Sequence, residues 1–339
     1  MDAPVRVRSP VSPWLSVAAA LVLTLLTFAA GAMLGVAELQ WHDLWQSESV
    51  TARIFWQLRV PRVLTAFCAG AGLASAGLIF QALFLNSLAT PYTLGVSSGS
   101  ACGAAAAIVL GGMASGATGM GVTLGAMTGA AAATALILAF STTRLGTQRH
   151  VLLLAGVAVS FFFSSLLMLI QSLASFYQSF RIIRWLLGGI AVVGYGEAMA
   201  LAVVSGCFWL VMLGLAPHLN LLLLGDDLAH ARGLAVKTIK RLLLAGVSLL
   251  VAVIVSITGP IGFIGMVVPH VCRLGWGGDH RRLVWVVPLV GGLFLVWCDL
   301  VARLLMQPSG LPVGVMTSLI GAPFFFFLLI SSNRHDRVL

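Results

Sequence analysis

The chain has 339 residues, of which 60% are hydrophobic and only 9% charged, where a soluble domain carries roughly 25% charged residues. That balance excludes a water-soluble enzyme or binding module and predicts a membrane protein. A formal charge of +9 invites a nucleic-acid reading, but the Lys and Arg residues lie in short breaks between apolar runs and form no patch, so they act as topology signals.

Crossing a hydrocarbon core about 30 Å thick takes roughly 20 apolar residues of helix. The opening MDAPVRVRSPVSPW lacks a small-residue cleavage site and predicts a retained start rather than a removed signal. Apolar runs then follow at 14–36, 60–84, 92–112, 117–140, 150–174, 194–216, 241–258, 261–275, 283–306 and 312–331. They predict an all-α polytopic bundle of about ten transmembrane helices. The eighth run is short and holds Pro269, which predicts a half-helix or a re-entrant piece. No linker, low-complexity tail or internal repeat divides the sequence, so residues 1–339 read as a single transmembrane domain with its helical bundle over 14–331. Glycine and alanine crowd several runs (GAGLASAG at 70–77, GAMTGAAAA at 125–133). Small residues let helix backbones approach closely in lipid, where the hydrophobic effect no longer drives helix association.

Basic residues set the orientation. With the N-terminus inside, thirteen of the 19 Lys and Arg residues fall on the cytoplasmic side: Arg6, Arg8, Arg144, Arg149, Arg232, Lys237, Lys240, Arg241, Arg273, Arg281, Arg282, Arg334 and Arg337. Arg53, Arg59, Arg62, Arg181, Arg184 and Arg303 fall on the other. The positive-inside rule therefore puts both termini in the cytoplasm. The outer arginines need a reason of their own.

No GxxxxGK[ST] or HExxH occurs, so the chain has no standard loop for nucleotide phosphates, and it shows no paired-carboxylate constellation. Five scattered cysteines read as small buried hydrophobes. His270 has no second His or Cys at ligand spacing and reads as a packed, hydrogen-bonded histidine, not a metal ligand. Asp299 and Arg303, one helical turn apart, are the clear intramembrane ion-pair candidate, either a structural neutralisation or a proton or ion relay. An ion-coupled secondary transporter, the alternative class, would need further ionisable groups at the midplane, and beyond Asp299 they are absent.

Four blocks carry a family resemblance. They are RVPRVLTAFCAGAGLASAGLIFQALFLNSLATPYTLGVSSGS (59–100), LNLLLLGDDLAHARGLAV (219–236), GPIGFIGMVVPHVCRLGWGGDHRR (259–282) and DLVARLLMQPSGLPVGVMTSLIGAPFFFFLL (299–329). In this order they resemble the FecCD-type permease subunits of type II ABC importers, which take up iron-siderophores, cobalamin or haem. The resemblance implies a homodimeric permease of ten helices per subunit in the bacterial inner membrane. It also implies two cytoplasmic ATPase subunits, which use ATP and Mg, and a periplasmic or lipid-anchored substrate-binding protein. The chain itself would bind no cofactor, and siderophore is the favoured substrate.

The same resemblance distributes roles. Arg59, Arg62 and Arg303 match positions that pair with acidic residues of the binding protein; interfacial snorkelling is the plainer alternative. The longest cytoplasmic loop, 217–240, contains two short helices broken at Gly225 and Gly233. Its Leu224, Gly225, Asp226, Asp227, Ala229, Arg232 and Gly233 match the ATPase-coupling segment, with Asp226 and Asp227 suited to a helix N-terminus. Asn86 and Leu88, in NSLATP, lie where the family has an inner gate, although Ser87 stands where proline is common. Arg149 and His150 fall at the family's other constriction, where small hydroxyl residues are usual, and a positive-inside anchor accounts for them equally well.

Overall fold

The computed structural model describes residues 13–35, 49–111, 119–143, 149–191, 193–306 and 310–335. Within them the chain is all-helical. Its twelve helices are α1 (Pro13–Met33), α2 (Val50–Phe84), α3 (Val96–Gly111), α4 (Gly119–Ser141), α5 (Arg149–Leu173), α6 (Phe176–Leu186), α7 (Gly196–Leu223), α8 (Asp226–Ala231), α9 (Val236–Thr258), α10 (Ile264–Trp276), α11 (His280–Leu305) and α12 (Val313–His335). Six of them are long and apolar enough to cross a bilayer, and three shorter apolar stretches join them. Each of the ten expected crossings has a helix. Arg6, Arg8, Arg144 and Arg337 lie outside the described residues.

The central element is α2, which packs against α11, α7, α10 and α9. Its Leu73, Leu78, Ile79 and Phe80 are fully buried. Because lipid tails are as apolar as these side chains, contact density rather than escape from water holds the helices together. Small residues set that density. A Cβ on Gly70 would meet the Gly291 carbonyl oxygen of α11 at 2.3 Å, and one on Gly77 would meet the Gly265 carbonyl oxygen of α10 at 1.8 Å. The α3–α4 hairpin uses the same device twice over. Gly99 and Gly103 face Gly129 and Gly125, each backbone within 2.0–2.6 Å of where the opposing Cβ would stand.

Several expectations change in detail. The second crossing begins at Val50, ten residues before the apolar run, and passes through a π-helical turn over Ile54–Arg59. Pro61 would leave the Gln57 carbonyl unpaired four residues earlier, and the Gly194 backbone N–H donates to it at 2.8 Å. The sixth crossing runs through Pro217 to Leu223, and the residues expected to form the first short cytoplasmic helix are its last turn. Only one short helix, α8, stands between Gly225 and Gly233. The amphipathic helix α6 was not expected. Ser175 and Gln178 cap it reciprocally, a capping box whose S-x-x-Q spacing is visible in the sequence.

The eighth crossing is a thirteen-residue helix, α10, unbroken at Pro269. Proline cannot donate to the Gly265 carbonyl. The buried Gln81 amide of α2 does so instead, reaching Gly265 O at 3.3 Å and Met266 O at 3.2 Å, while its own oxygen accepts from Arg273. Polar backbone at this depth is tolerated because a neighbouring helix satisfies it.

Candidate functional site

Two constellations occupy opposite ends of the bundle. From Arg62 to Leu83, α2 climbs roughly 30 Å at 1.5 Å per residue, the thickness of a hydrocarbon core.

At one end, two arginines hold one carboxylate and a third reaches the end of α1. Asp299 of α11 is 1% exposed. Arg62 donates to it through Nε, 3.1 Å from both Oδ1 and Oδ2, and through Nη2, 2.8 Å from Oδ1. Arg303 Nε lies 3.1 Å from Asp299 Oδ2, an electrostatic contact without hydrogen-bond geometry. Arg303 Nη2 donates to Gly31 O at 2.9 Å, and the buried Arg59 Nη1 donates to Met33 O at 2.7 Å and Ala32 O at 3.3 Å. Those carbonyls are the last of α1, which has no basic residue in its own final turn. Two guanidiniums from other helices thus cap the negative end of α1. Arg62, Arg303 and Asp299 together carry two positive charges and one negative.

Asp299 forms the i,i+4 ion pair with Arg303 that its spacing implies, but this is not its only contact. Its main partner is Arg62, 237 residues away in sequence. A buried carboxylate held by two cations is no free proton or ion relay. This argues against ion-coupled transport.

At the other end, α7 stops at Leu223, and Gly225, with φ +98°, turns the chain into α8. Gly233, with φ +84°, closes α8. The Leu234 N–H returns to Ala229 O and the Gly233 N–H to His230 O, a Schellman cap. Asp226 pairs with Lys240 of α9, and Ala229 is fully buried. Leu224, Leu228, Asp227 and Arg232 remain exposed. Beneath α8 lies a cavity of about 660 Å³ lined by Phe84, Leu152, His230 and Lys237 among others.

The same end holds the expected gate residues. Leu85 leaves α2 with φ +47°, and the Asn86 side-chain oxygen accepts from the Leu88 N–H at 2.9 Å. This Asx turn fixes the segment without the proline that Ser87 replaces. Asn86, Leu88 and His150 are all exposed. Arg149 opens α5, but its side chain lies outside the described residues. No hydrogen bond or ion pair joins Asn86 or Leu88 to His150 among the described residues. His270 is half-buried and makes no side-chain hydrogen bond among them, contrary to expectation.

One further joint escaped sequence reading. Asn220, in the last turn of α7, donates to Asp279 Oδ1 at 2.7 Å and accepts from the His280 N–H at 2.9 Å. Asp279 caps α11 by accepting from the Arg281 N–H. The Asn220 hydrogen bond first, then that N–H, hold the Asp279 carboxyl below its ordinary range despite partial desolvation, with Arg281 and Arg282 adding to the effect. A depressed carboxyl stabilises the fold above the ordinary carboxylate pKa and loses that contribution as pH falls through the lowered value. Asp279→Ala is expected to cost about 1 kcal/mol, as cap removal does, and to flatten the acid limb of stability. Thermal unfolding of the detergent-solubilised protein between pH 3 and 7 checks both.

The arginine cluster over the paired α2 and α11 and the short α8 after a long helix are the structural setting of the motif blocks. The FecCD transport family model matches residues 22–331. The chain belongs to that family. It is 36% identical over 325 residues to the vitamin B12 import system permease protein BtuC of Salmonella typhimurium, covering 95% of this chain and 96% of that one. It is equally 36% identical over 307 residues to the ABC transporter permease YvrB of Bacillus subtilis, covering 88% and 86%. A solved chain of an ABC transporter described as metal-chelate type, in an inward-facing conformation, superposes with a TM-score of 0.81 at 31% identity, covering 92% of this chain and 97% of that one. This FecCD permease is thus an ABC importer subunit of the metal-chelate or cobalamin type, a polytopic membrane protein and not itself an enzyme. Its family works with an ATPase and a substrate-binding protein.

Proposed function

We propose that this permease forms a homodimer in the bacterial inner membrane, joins two ATPase subunits, and passes a large metal chelate delivered by a periplasmic or lipid-anchored binding protein into the cytoplasm. Cobalamin is the substrate favoured by the likeness to BtuC; a ferric siderophore and haem are of the same kind. The whole chain acts as one permease domain, with both termini cytoplasmic. The observation that carries the reading is the placement of the arginine cluster and α8 at opposite ends of α2. The partly exposed Arg62 suits an acidic docking partner, since Arg binds carboxylates through a planar fork. Exposed apolar side chains at and just before a short helix, Leu228 and Leu224, suit a protein that pushes on it. We assign Leu224, Gly225, Asp226, Asp227, Ala229, Arg232 and Gly233 to that contact. Asn86, Leu88, Arg149 and His150 are the residues assigned to the gate of the pathway.

The dimer draws support from α5, where Leu154, Phe161, Phe162 and Met168 are exposed on a helix that few neighbours cover. A second copy covers part of that face, and the pathway runs between the copies. Specificity then rests mainly with the binding protein.

Co-purification from membranes with this subunit tagged, followed by uptake of radiolabelled cyanocobalamin or a ferric siderophore into proteoliposomes of the recovered complex, tests the proposal. Recovery of a P-loop ATPase and ATP-dependent uptake of either probe are expected. A subunit that comes out alone and intact would sink it. Arg62→Glu is expected to weaken binding-protein affinity by at least tenfold while leaving ATPase co-purification unchanged. Unaltered affinity in a pull-down titration would remove the docking role.

A further inference from the structure

The docking role just proposed treats three arginines alike, but their surroundings differ. Arg59 is 6% exposed and turned to the end of α1. Arg303 is spread between α1 carbonyls and Asp299. Arg62 alone keeps a substantially exposed side chain, at 29%. A guanidinium has two edges able to grip a carboxylate, one formed by Nε and Nη2 and the other by the two terminal nitrogens. Asp299 takes the first edge of Arg62, and Nη1 has no partner among the described residues.

We infer that Asp299 is a positioning residue for docking: buried beneath Arg62, it fixes the Nε–Nη2 edge and so presents Nη1 to a carboxylate of an acidic partner protein. The inference rests on the docking reading. Asp299 is almost wholly buried, so an incoming carboxylate meets Arg62 on the remaining side and adds to Asp299 instead of replacing it. Fixing the guanidinium beforehand removes the cost of ordering a long side chain at the moment of binding. Arg62 also stands on the helix that α7, α10 and α11 enclose. A protein arriving along the bundle axis reaches it more readily than a lipid phosphate arriving from the side.

The test uses the permease with its co-purified ATPase in nanodiscs of neutral lipid, and the binding protein as analyte. Asp299→Asn is expected to speed dissociation about tenfold. Association should be no slower, and more steeply salt-dependent, because the variant removes one negative charge from beneath Arg62. Arg62→Ala should speed dissociation similarly, and the double variant should match Arg62→Ala alone, since Asp299 acts through Arg62. Unchanged or slower dissociation of Asp299→Asn would overturn the inference, as would additive effects in the double variant, which mark a merely structural role. Should Asp299→Asn fail to fold, Asp299→Glu keeps the charge and shifts it by one methylene. Intermediate dissociation is expected from it, and wild-type dissociation would overturn the inference. Dissociation unaltered by Arg62→Ala would instead remove the docking reading itself. Effects of either variant confined to nanodiscs of anionic lipid would assign Arg62 to lipid phosphate and overturn both.

Discussion

Gly77→Ala is expected to leave almost no assembled permease in the membrane, although alanine is the better helix former by about 1 kcal/mol. The added carbon would stand 1.8 Å from the Gly265 carbonyl oxygen and 2.5 Å from its Cα. Both are backbone atoms of α10, so no side-chain rotation relieves the clash. The helices must part, and with them goes the Gln81 bridge that satisfies the carbonyls around Pro269. Overpacking a core costs about 1–3 kcal/mol when side chains can shift, and here the cost should lie at or above that upper end. Gly206→Ala in α7 is the matched control, because nothing lies within 4 Å of its Cβ position. Size-exclusion profiles and thermal unfolding in detergent would show a monodisperse, wild-type-like control and an aggregated or absent Gly77 variant. Equal behaviour of the two would mean that α2 and α10 do not pack as closely as described.

What the sequence discloses depends on how far apart the interacting residues are. Apolar runs are local signals, and a helix lies under each of the ten. Gly225 and Gly233 are legible as the bounds of α8, because positive φ is a local demand. The boundary at Val50 is not, because Ile54–Arg59 mixes polar with apolar residues and Pro61 reads as a start. The capping box of α6 is local, in Ser175 and Gln178, but the helix it opens forms no long apolar run. Asp299 and Arg303 share a turn and are seen together, whereas Arg62 enters from the far end of the chain. Nothing in the local pattern of α1 says that Arg59 and Arg303 will cap it. Likewise Gln81 reads as one amide in an apolar run until Pro269 is placed beside it. Role assignments came from family likeness, and the packing geometry then distinguishes residues that the likeness treats as equivalent.

The second large effect is expected at Gly225. Its φ of +98° with ψ of 161° lies in a region that only glycine enters freely, and no atom stands within 4 Å of a Cβ there. Gly225→Ala is thus a backbone perturbation without a steric one, worth about 1–3 kcal/mol of strain. The chain relieves it by re-aiming α8 relative to α7. If ATP-driven closure of the partner subunits acts through α8, transport should fall at least tenfold while the assembled complex still hydrolyses ATP. The Asp226–Lys240 pair, which ties α8 to α9, provides the complementary test. Asp226→Lys should uncouple in the same way by placing two like charges in contact, and Asp226→Lys with Lys240→Asp should restore much of the transport by rebuilding the tie in reverse. Parallel assays of ATP hydrolysis and vesicle uptake separate the outcomes. Loss of both activities together would mean that α8 is needed for assembly, not coupling. Retention of both by Gly225→Ala would mean that the force from the ATPase enters the bundle elsewhere, with the exposed Asn86–Leu88 turn at the same end the next segment to test.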